Sequence, residues 1–230
     1  MAKKKQSGDF QRMAVAADSV ILTYDEKVIK LLLIKRGNAP FKGEWALPGG
    51  FVAGNESAEA AAERELSEET GLKNLVLEQL FTISDPKRDP RGRVLSVVFM
   101  GFFKSGKLGL QAADDATEAE WFSIHKLPKL AFDHAKIVKS AMIKLKEMLS
   151  HQAVAFELLP EKFTFSQLQA LYEDVLKVEV DKRNFRRRFL NSGLVIPLNE
   201  LEKNVPYKPG RYYKLDRKLL KKSPGLLPSF

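Results

Sequence analysis

Cysteine is absent from this 230-residue chain. Disulfides and thiolate zinc sites are therefore excluded, and any metal must be held by oxygen or imidazole ligands. No apolar run is long enough to cross a membrane, since "VLSVVFMGFF" has about half the ~20 residues that a spanning helix needs. The opening "MAKKKQSGDF" follows its lysines with polar residues and lacks the apolar core of a secretory signal. Internal repeats and low-complexity segments are also missing. These absences predict a soluble, cytoplasmic protein with no membrane partner.

With 44% hydrophobic and 29% charged residues the composition is that of a globular chain able to bury a core. The length suits two domains better than one. The net charge of +9 is unevenly placed. Between Lys177 and Lys222 there are 14 lysines and arginines against 5 aspartates and glutamates, a surplus that equals the whole imbalance. Lys3 to Lys5 belong to a terminal tail, where a solvated end is the simplest reading.

Two β-branched and leucine-rich runs, "AVAADSVILTY" and "VIKLLLIKR", are separated by the turn-like "DEK" and predict paired strands. The loop "GNAPFKGEWALPGG" follows. "SAEAAAERELSEETG" predicts a helix from about Ser57 to Thr70, with Gly71 at its cap. Further strands are expected at "VLSVVFMGFF" and around Glu120 to Phe122. A helix in "FDHAKIVKSAMIKLKEML" would place Ile137, Ala141, Leu145 and Met148 on one packed face. "FTFSQL" has the form of a helix start, with Thr164 as N-cap, Gln167 closing a capping box, and Phe163 and Leu168 as a hydrophobic staple. A second helix runs from Asp181 to about Asn191 and stops at Gly193. Two strand-like runs, "LVIPL" and "RYYKL", follow, joined by a loop containing "NVPYKPG". Helix, helix and two-stranded hairpin is the order of a winged helix-turn-helix. The expected division is a tail at 1–10, a first domain at 11–150, a linker at 151–162, a winged-helix domain at 163–222 and a tail at 223–230.

Chemistry concentrates in "GFVAGNESAEAAAERELSEETGL", from Gly50 to Leu72. Glu65, Glu68 and Glu69 stand at i, i+3 and i+4, so their carboxylates share one helix face and repel unless a cation joins them. A hard divalent ion such as Mg²⁺ or Mn²⁺ takes oxygen ligands and can also bridge a diphosphate. Arg64 can pair with Glu56 or another carboxylate and fix its rotamer. A solvated acidic face is the competing interpretation.

This stretch matches at every specified position the signature box of the Nudix hydrolases: glycine, five residues, glutamate, seven residues, Arg-Glu-aliphatic, one residue, Glu-Glu, one residue, Gly-aliphatic. The resemblance implies an α/β/α sandwich and a nucleoside diphosphate linked to another group. It also implies metal-assisted attack of water on phosphorus. Glu65, Glu68 and Glu69 would then hold Mg²⁺ or Mn²⁺, with Glu56 and Arg64 completing the catalytic set. One of the glutamates or a later carboxylate, Asp114, Asp115 or Glu118, would serve as base. "DPKRDPRGRVLSVVF" and "LAFDHAKIV" resemble the ADP-ribose pyrophosphatase branch. Arg36 and Arg88 are candidates for phosphate oxygens, Gly50 for the ligand cavity, and Phe132 or Trp45 for stacking a base. His134 reads as packing at a helix start.

"DKRNFRRRFL" spaces Phe185 and Phe189 four apart toward a core. Lys182, Arg183, Arg186 and Arg187 are left on the wet face. Placed before a hairpin bearing Lys208 and Arg211, it has the position of a recognition helix with its wing, although a solubilising or RNA-binding face would have the same composition. The complete box followed by "FTFSQLQALYEDVL" and "DKRNFRRRFLNSGLV" resembles the Nudix-related transcriptional regulators over nearly the whole chain. That resemblance implies a homodimer binding operator DNA and a nucleotide or sugar effector. Many such regulators have an eroded box, whereas this one is complete, so a pyrophosphatase with an accessory C-terminal domain is the alternative.

Overall fold

The computed structural model describes residues 12–104, 116–223 and 227–228. The expected tail at 1–10 lies outside them, as do Asp114 and Asp115. The elements in chain order are β1 (Ala14–Asp25), β2 (Val28–Arg36), β3 (Trp45–Ala46), β4 (Gly49–Phe51), α1 (Ala58–Thr70), β5 (Leu77–Ile83), β6 (Val94–Phe103) and β7 (Ala116–Ser123). They continue with α2 (His134–His151), α3 (Ala155–Leu158), β8 (Phe163–Thr164), α4 (Phe165–Leu176), α5 (Lys182–Ser192), β9 (Val195–Leu201), β10 (Arg211–Leu215) and α6 (Arg217–Lys222).

Among the described residues, strands β1 to β7 form one mixed sheet in the order β3-β2-β1-β6-β5, with β4 also on β1 and β7 also on β2. β1 and β6 run parallel over Ala14–Thr23, and the other pairs are antiparallel. β1 and β2 are nearly continuous apolar runs because both faces of the sheet are covered. On one face Ala61, Ala62 and Leu66 of α1 meet Ala17, Ile21, Leu32 and Phe99. On the other, Ile137, Ala141, Leu145 and Met148 of α2 join Val20, Leu22, Leu31 and Leu33, as their spacing predicts. The expected α/β/α sandwich is the observed fold.

The second unit is a winged helix. Thr164 caps α4 by accepting from Gln167 N, and the Gln167 side chain accepts from Thr164 N. α5 is capped by Asp181 and ended by Gly193 in the left-handed region. β9 and β10 form the hairpin, and β8 adds a third strand on β10.

The stretch expected as a linker is largely core. Val154, Ala155, Phe156, Leu158 and Leu159 are buried, and the Phe156 ring lies 5.5 Å from that of Phe163 and 6.1 Å from that of Phe189. Its apolar side chains find partners only once both units are present, so the two share one continuous core. A polar joint adds to this contact. Asp174 of α4 accepts from Ile29 N of β2 at 2.8 Å, lies 2.6 Å from His125 and pairs with Lys177 at 3.1 Å.

Candidate functional site

α1 exists where it does because Ser57 accepts from Ala60 N at its start and Gly71 takes φ 73° at its end. The helix holds its carboxylates against β1 and β4. Arg64 is the cation the crowded glutamates require. Its guanidinium reaches Glu56 and Glu65 at 2.8 Å and Glu68 at 2.9 Å, and donates to the Phe51 carbonyl at 3.3 Å. Those bonds and the Ala53 amide hold the Glu56 carboxyl down at about 2. Burial raises Glu65 despite Arg64.

Glu69 behaves differently from its two neighbours. It is 7% exposed and accepts from Gly49 N at 2.8 Å. Burial, aided by the negative charges of Glu65 and Asp18, pushes its carboxyl up to about 8. A buried carboxylate facing two others favours either a proton or a cation. Among the described residues, however, no three histidine or carboxylate side chains are gathered closely enough to hold a metal ion. Glu65 and Glu68 close on Arg64 instead. The donor set is all oxygen and suits a hard divalent cation, whose entry would require Arg64 to yield some of these bonds.

A cavity of about 560 Å³ opens beside this cluster, lined by Arg36, Gly50, Arg64, Glu65, Glu69, Arg88, Phe132 and His134 among others. Of the five residues expected at a ligand, Arg36, Gly50, Arg88 and Phe132 line this cavity and Trp45 does not. Arg88, however, is buried and already committed, donating to Asp133 at 3.0 Å and to Asp18 at 3.2 Å. Its guanidinium braces the cavity wall, which leaves less of it for a phosphate. Arg36 donates to the Pro40 carbonyl and lies 4.8 Å from the centre of the Phe132 ring. Phe132, one of the lining residues, has φ 50°, an uncommon conformation for a side chain of this size. His134 is buried and accepts from Leu47 N through Nδ1 at 2.9 Å, which agrees with a packing role. Trp45 packs edge-on against Phe122, 4.7 Å away. Glu118 is exposed and pairs with Lys35.

Three charged cavity residues, Asp18, Asp89 and Arg91, escaped the sequence reading. Asp18 is 6% exposed and accepts from Ser96 Oγ as well as from Arg88. The available signal was one charged side chain in the interior of a strand that carries no other charge before its last residue. Arg91 lies between the rings of Phe51 (4.7 Å) and Phe132 (5.5 Å) and is gripped by Asp89. Burial alone would raise Asp89, but its bonds from Arg91 outweigh that and lower it.

Gly50 is required by space. A Cβ there would stand 2.1 Å from Glu65 Oε1, so the flexible carboxylate would have to move. Gly50→Ala is expected to leave thermal stability within about 1 kcal/mol while weakening divalent-cation binding at least ~10-fold, because Glu65 is displaced and no backbone is. Calorimetric titration with Mn²⁺ beside a thermal melt measures both.

In α5, Phe185 and Phe189 are buried as predicted, and Lys182, Arg183, Arg186 and Arg187 are exposed. Lys208 and Arg211 are exposed on the wing. Arg187 Nη2 donates to Asn184 Oδ1 at 2.7 Å along the helix. Arg186 departs from the expected outward direction. Its guanidinium donates to Tyr213 Oη at 2.7 Å and packs over the rings of Phe165 and Tyr213, at 5.1 and 5.7 Å.

Comparison with known proteins places these geometries in context. Residues 13–141 match the NUDIX domain family, and residues 155–215 match the NrtR DNA-binding winged helix domain. The chain is 34% identical over 215 residues to the ADPR responsive transcriptional repressor NtrR of Acinetobacter baylyi, covering 91% of this chain and 84% of that one. It is 54% identical over 129 residues to the ADP-ribose pyrophosphatase of Methanocaldococcus jannaschii, covering 56% of this chain and 73% of that protein. Among solved structures, Shewanella oneidensis NrtR complexed with a 27mer DNA superposes with a TM-score of 0.74 at 29% identity, over 90% of this chain and 95% of that one. The NUDIX domain of the same protein, complexed with ADP ribose, gives 0.54 at 29% identity over 63% and 99%.

Proposed function

Since the chain belongs to the Nudix family and carries an NrtR-type winged helix in one core with that fold, we propose that it is a metabolite-responsive transcriptional regulator. Its cavity binds ADP-ribose or a related nucleoside diphosphate, and its winged helix binds operator DNA. The observation that carries this reading is the junction. The cavity residue Arg36 ends β2, and Ile29 near the other end of the same strand is bonded to α4 of the winged helix through Asp174. A sensor and a reader joined by a strand and a shared core suit mutual influence better than two modules on a loose tether.

Operator recognition is assigned to Lys182, Arg183 and Arg187 on α5 and to Lys208 and Arg211 on the wing. The working unit is a homodimer in the cytoplasm, because two related heads match the half-sites of a palindromic operator. Glu65, Glu68 and Glu69 would hold Mg²⁺ or Mn²⁺, which supplies neutralisation of a diphosphate and polarisation of its phosphorus. Arg91, stacked between Phe51 and Phe132, sits where a planar or anionic part of the effector would enter. The completeness of the box and the likeness to an ADP-ribose pyrophosphatase favour a second reading, in which the cavity also hydrolyses its effector. Incubating ADP-ribose with the protein and Mg²⁺ and looking for AMP separates sensing alone from sensing with turnover.

Ligand and DNA must change each other's affinity by the same factor. ADP-ribose is expected to shift operator affinity by at least ~5-fold, about 1 kcal/mol of coupling, when titrated with chelator present so that it is not consumed. Saturation of the cavity with no movement in operator affinity would mean that the halves are independent and that the regulator reading is wrong.

A further inference from the structure

The five cations of α5 are not equivalent. Arg186 lies three residues after Arg183 and one before Arg187, so its Cβ leaves the helix about 100° away from that of Arg187. From there its guanidinium crosses to the wing sheet, where it donates to Tyr213 Oη at 2.7 Å and stands over two aromatic rings. Those rings are themselves fixed. Phe165 is the first residue of α4 and 8% exposed, Tyr213 in β10 is 3% exposed, and they meet edge-on at 4.6 Å. One planar cation therefore joins α4, α5 and β10, using the stacking and hydrogen-bonding geometry that suits arginine and not lysine.

We infer that Arg186 is a positioning residue of the DNA interface: through Tyr213 it locks the roll of α5 relative to the wing and makes no contact with DNA itself. The inference rests on the DNA-binding reading above. Rolling α5 about its axis moves Arg183 and Arg187, one turn apart on the same face, relative to Lys208 and Arg211. Both groups must meet one duplex at once, so a few degrees of freedom in the helix weaken the whole footprint. Tyr213 is too buried to reach DNA, so any effect of its hydroxyl on operator binding is indirect.

The probe is a duplex enriched from random-sequence DNA by the wild-type chain, with affinity measured over a series of salt concentrations. A residue that neutralises a phosphate changes the slope of log K against log salt by about one when removed, whereas a positioning residue changes the affinity and leaves the slope. Tyr213→Phe, which deletes only the hydroxyl, is expected to weaken binding about 5-fold, and Arg186→Ala about 10-fold, both with the wild-type slope. Arg186→Ala/Tyr213→Phe should be no weaker than Arg186→Ala alone, because one interaction is lost in all three. Arg186→Lys should fail to restore affinity. Arg187→Ala serves as the contrast and should lower the slope.

The inference is overturned if Arg186→Ala lowers the slope by about one while Tyr213→Phe matches wild type, which would make Arg186 a DNA contact. It is equally overturned if the affinity losses vanish when binding is measured well below each variant's melting temperature, which would reduce the contact to general stability. Failure of the wild-type chain to enrich any duplex, with Arg187→Ala equally inert, would bring down the DNA-binding reading and this inference with it.

Discussion

In metal-free buffer at pH 8, Glu69→Gln should unfold at a higher temperature than the wild-type protein, with a gain on the order of 2–3 kcal/mol. The Glu69 carboxyl is raised by burial from the usual 4.5 to about 8. Between those values the folded state holds a proton that the unfolded chain has released, so the stability linked to this group is complete below pH 4.5. It drains away as pH climbs through 8. Glutamine keeps an oxygen for the Gly49 amide and has no charge to bury, so its stability curve should be flatter over the same window. Full linkage for such a shift would be nearer ~5 kcal/mol, and rearrangement around the charge removes part of it.

Millimolar Mg²⁺ should stabilise the wild-type protein at pH 8 and leave the variant unmoved, since a cation offsets the buried charge and binding to the folded state adds stability by mass action. Glu68, whose side chain is 44% exposed, provides the control: Glu68→Gln retains Glu69 and should follow the wild-type dependence of stability on pH. Parallel wild-type and Glu69→Gln curves from pH 5 to 8 would show that Glu69 ionises normally. The site would then store no charge for a metal to relieve. The cost that the native residue imposes at neutral pH is what a binding site retains and a purely structural position would lose.

How much of this was legible in the chain depends on how far apart the interacting residues lie. α1 was readable to within a residue because Ser57, the glutamate spacing and Gly71 are local signals that satisfy the helix ends directly. The face of α2 and the start of α4 follow for the same reason. β5, "LEQLFTI", was missed because a sheet edge needs no clean apolar pattern and its polar Glu78 and Gln79 face solvent. The segment at 151–162 read as a linker because its apolar run is too short to declare a helix. Phe163 and Phe189, which bury Phe156, arrive from later elements. Asp18 acquires meaning only when Arg88 and Ser96 are brought beside it from 70 and 78 residues away. For Arg186 a helical wheel gives the direction of Cβ correctly, but the long side chain then travels to an aromatic pair that the wheel cannot contain.

Replacing Arg183 and Arg187 together by alanine should give the largest loss of operator binding, roughly 1–3 kcal/mol for each base-edge contact removed. The two stand one turn apart, exposed, on the side of α5 opposite the buried Phe185 and Phe189. Arginine in that position reads guanine edges through paired donors or neutralises phosphates, and the two roles leave different traces. Removing a base-edge interaction relaxes preference at one position of the half-site at unchanged slope. Removing a phosphate interaction weakens all sequences alike and flattens the salt dependence by about one per residue. The single variants need not sum to the double, because residues four apart on one helix share neighbours and Asn184 accepts from Arg187 between them. ADP-ribose binding should be unchanged, since neither side chain lines the cavity. Lys144→Ala removes an exposed cation from α2, where it pairs with Glu147, and should leave operator affinity and slope at wild-type values. If the double variant binds the operator as tightly as wild type, α5 is not the reading helix and the basic surplus of the C-terminal unit must serve another partner.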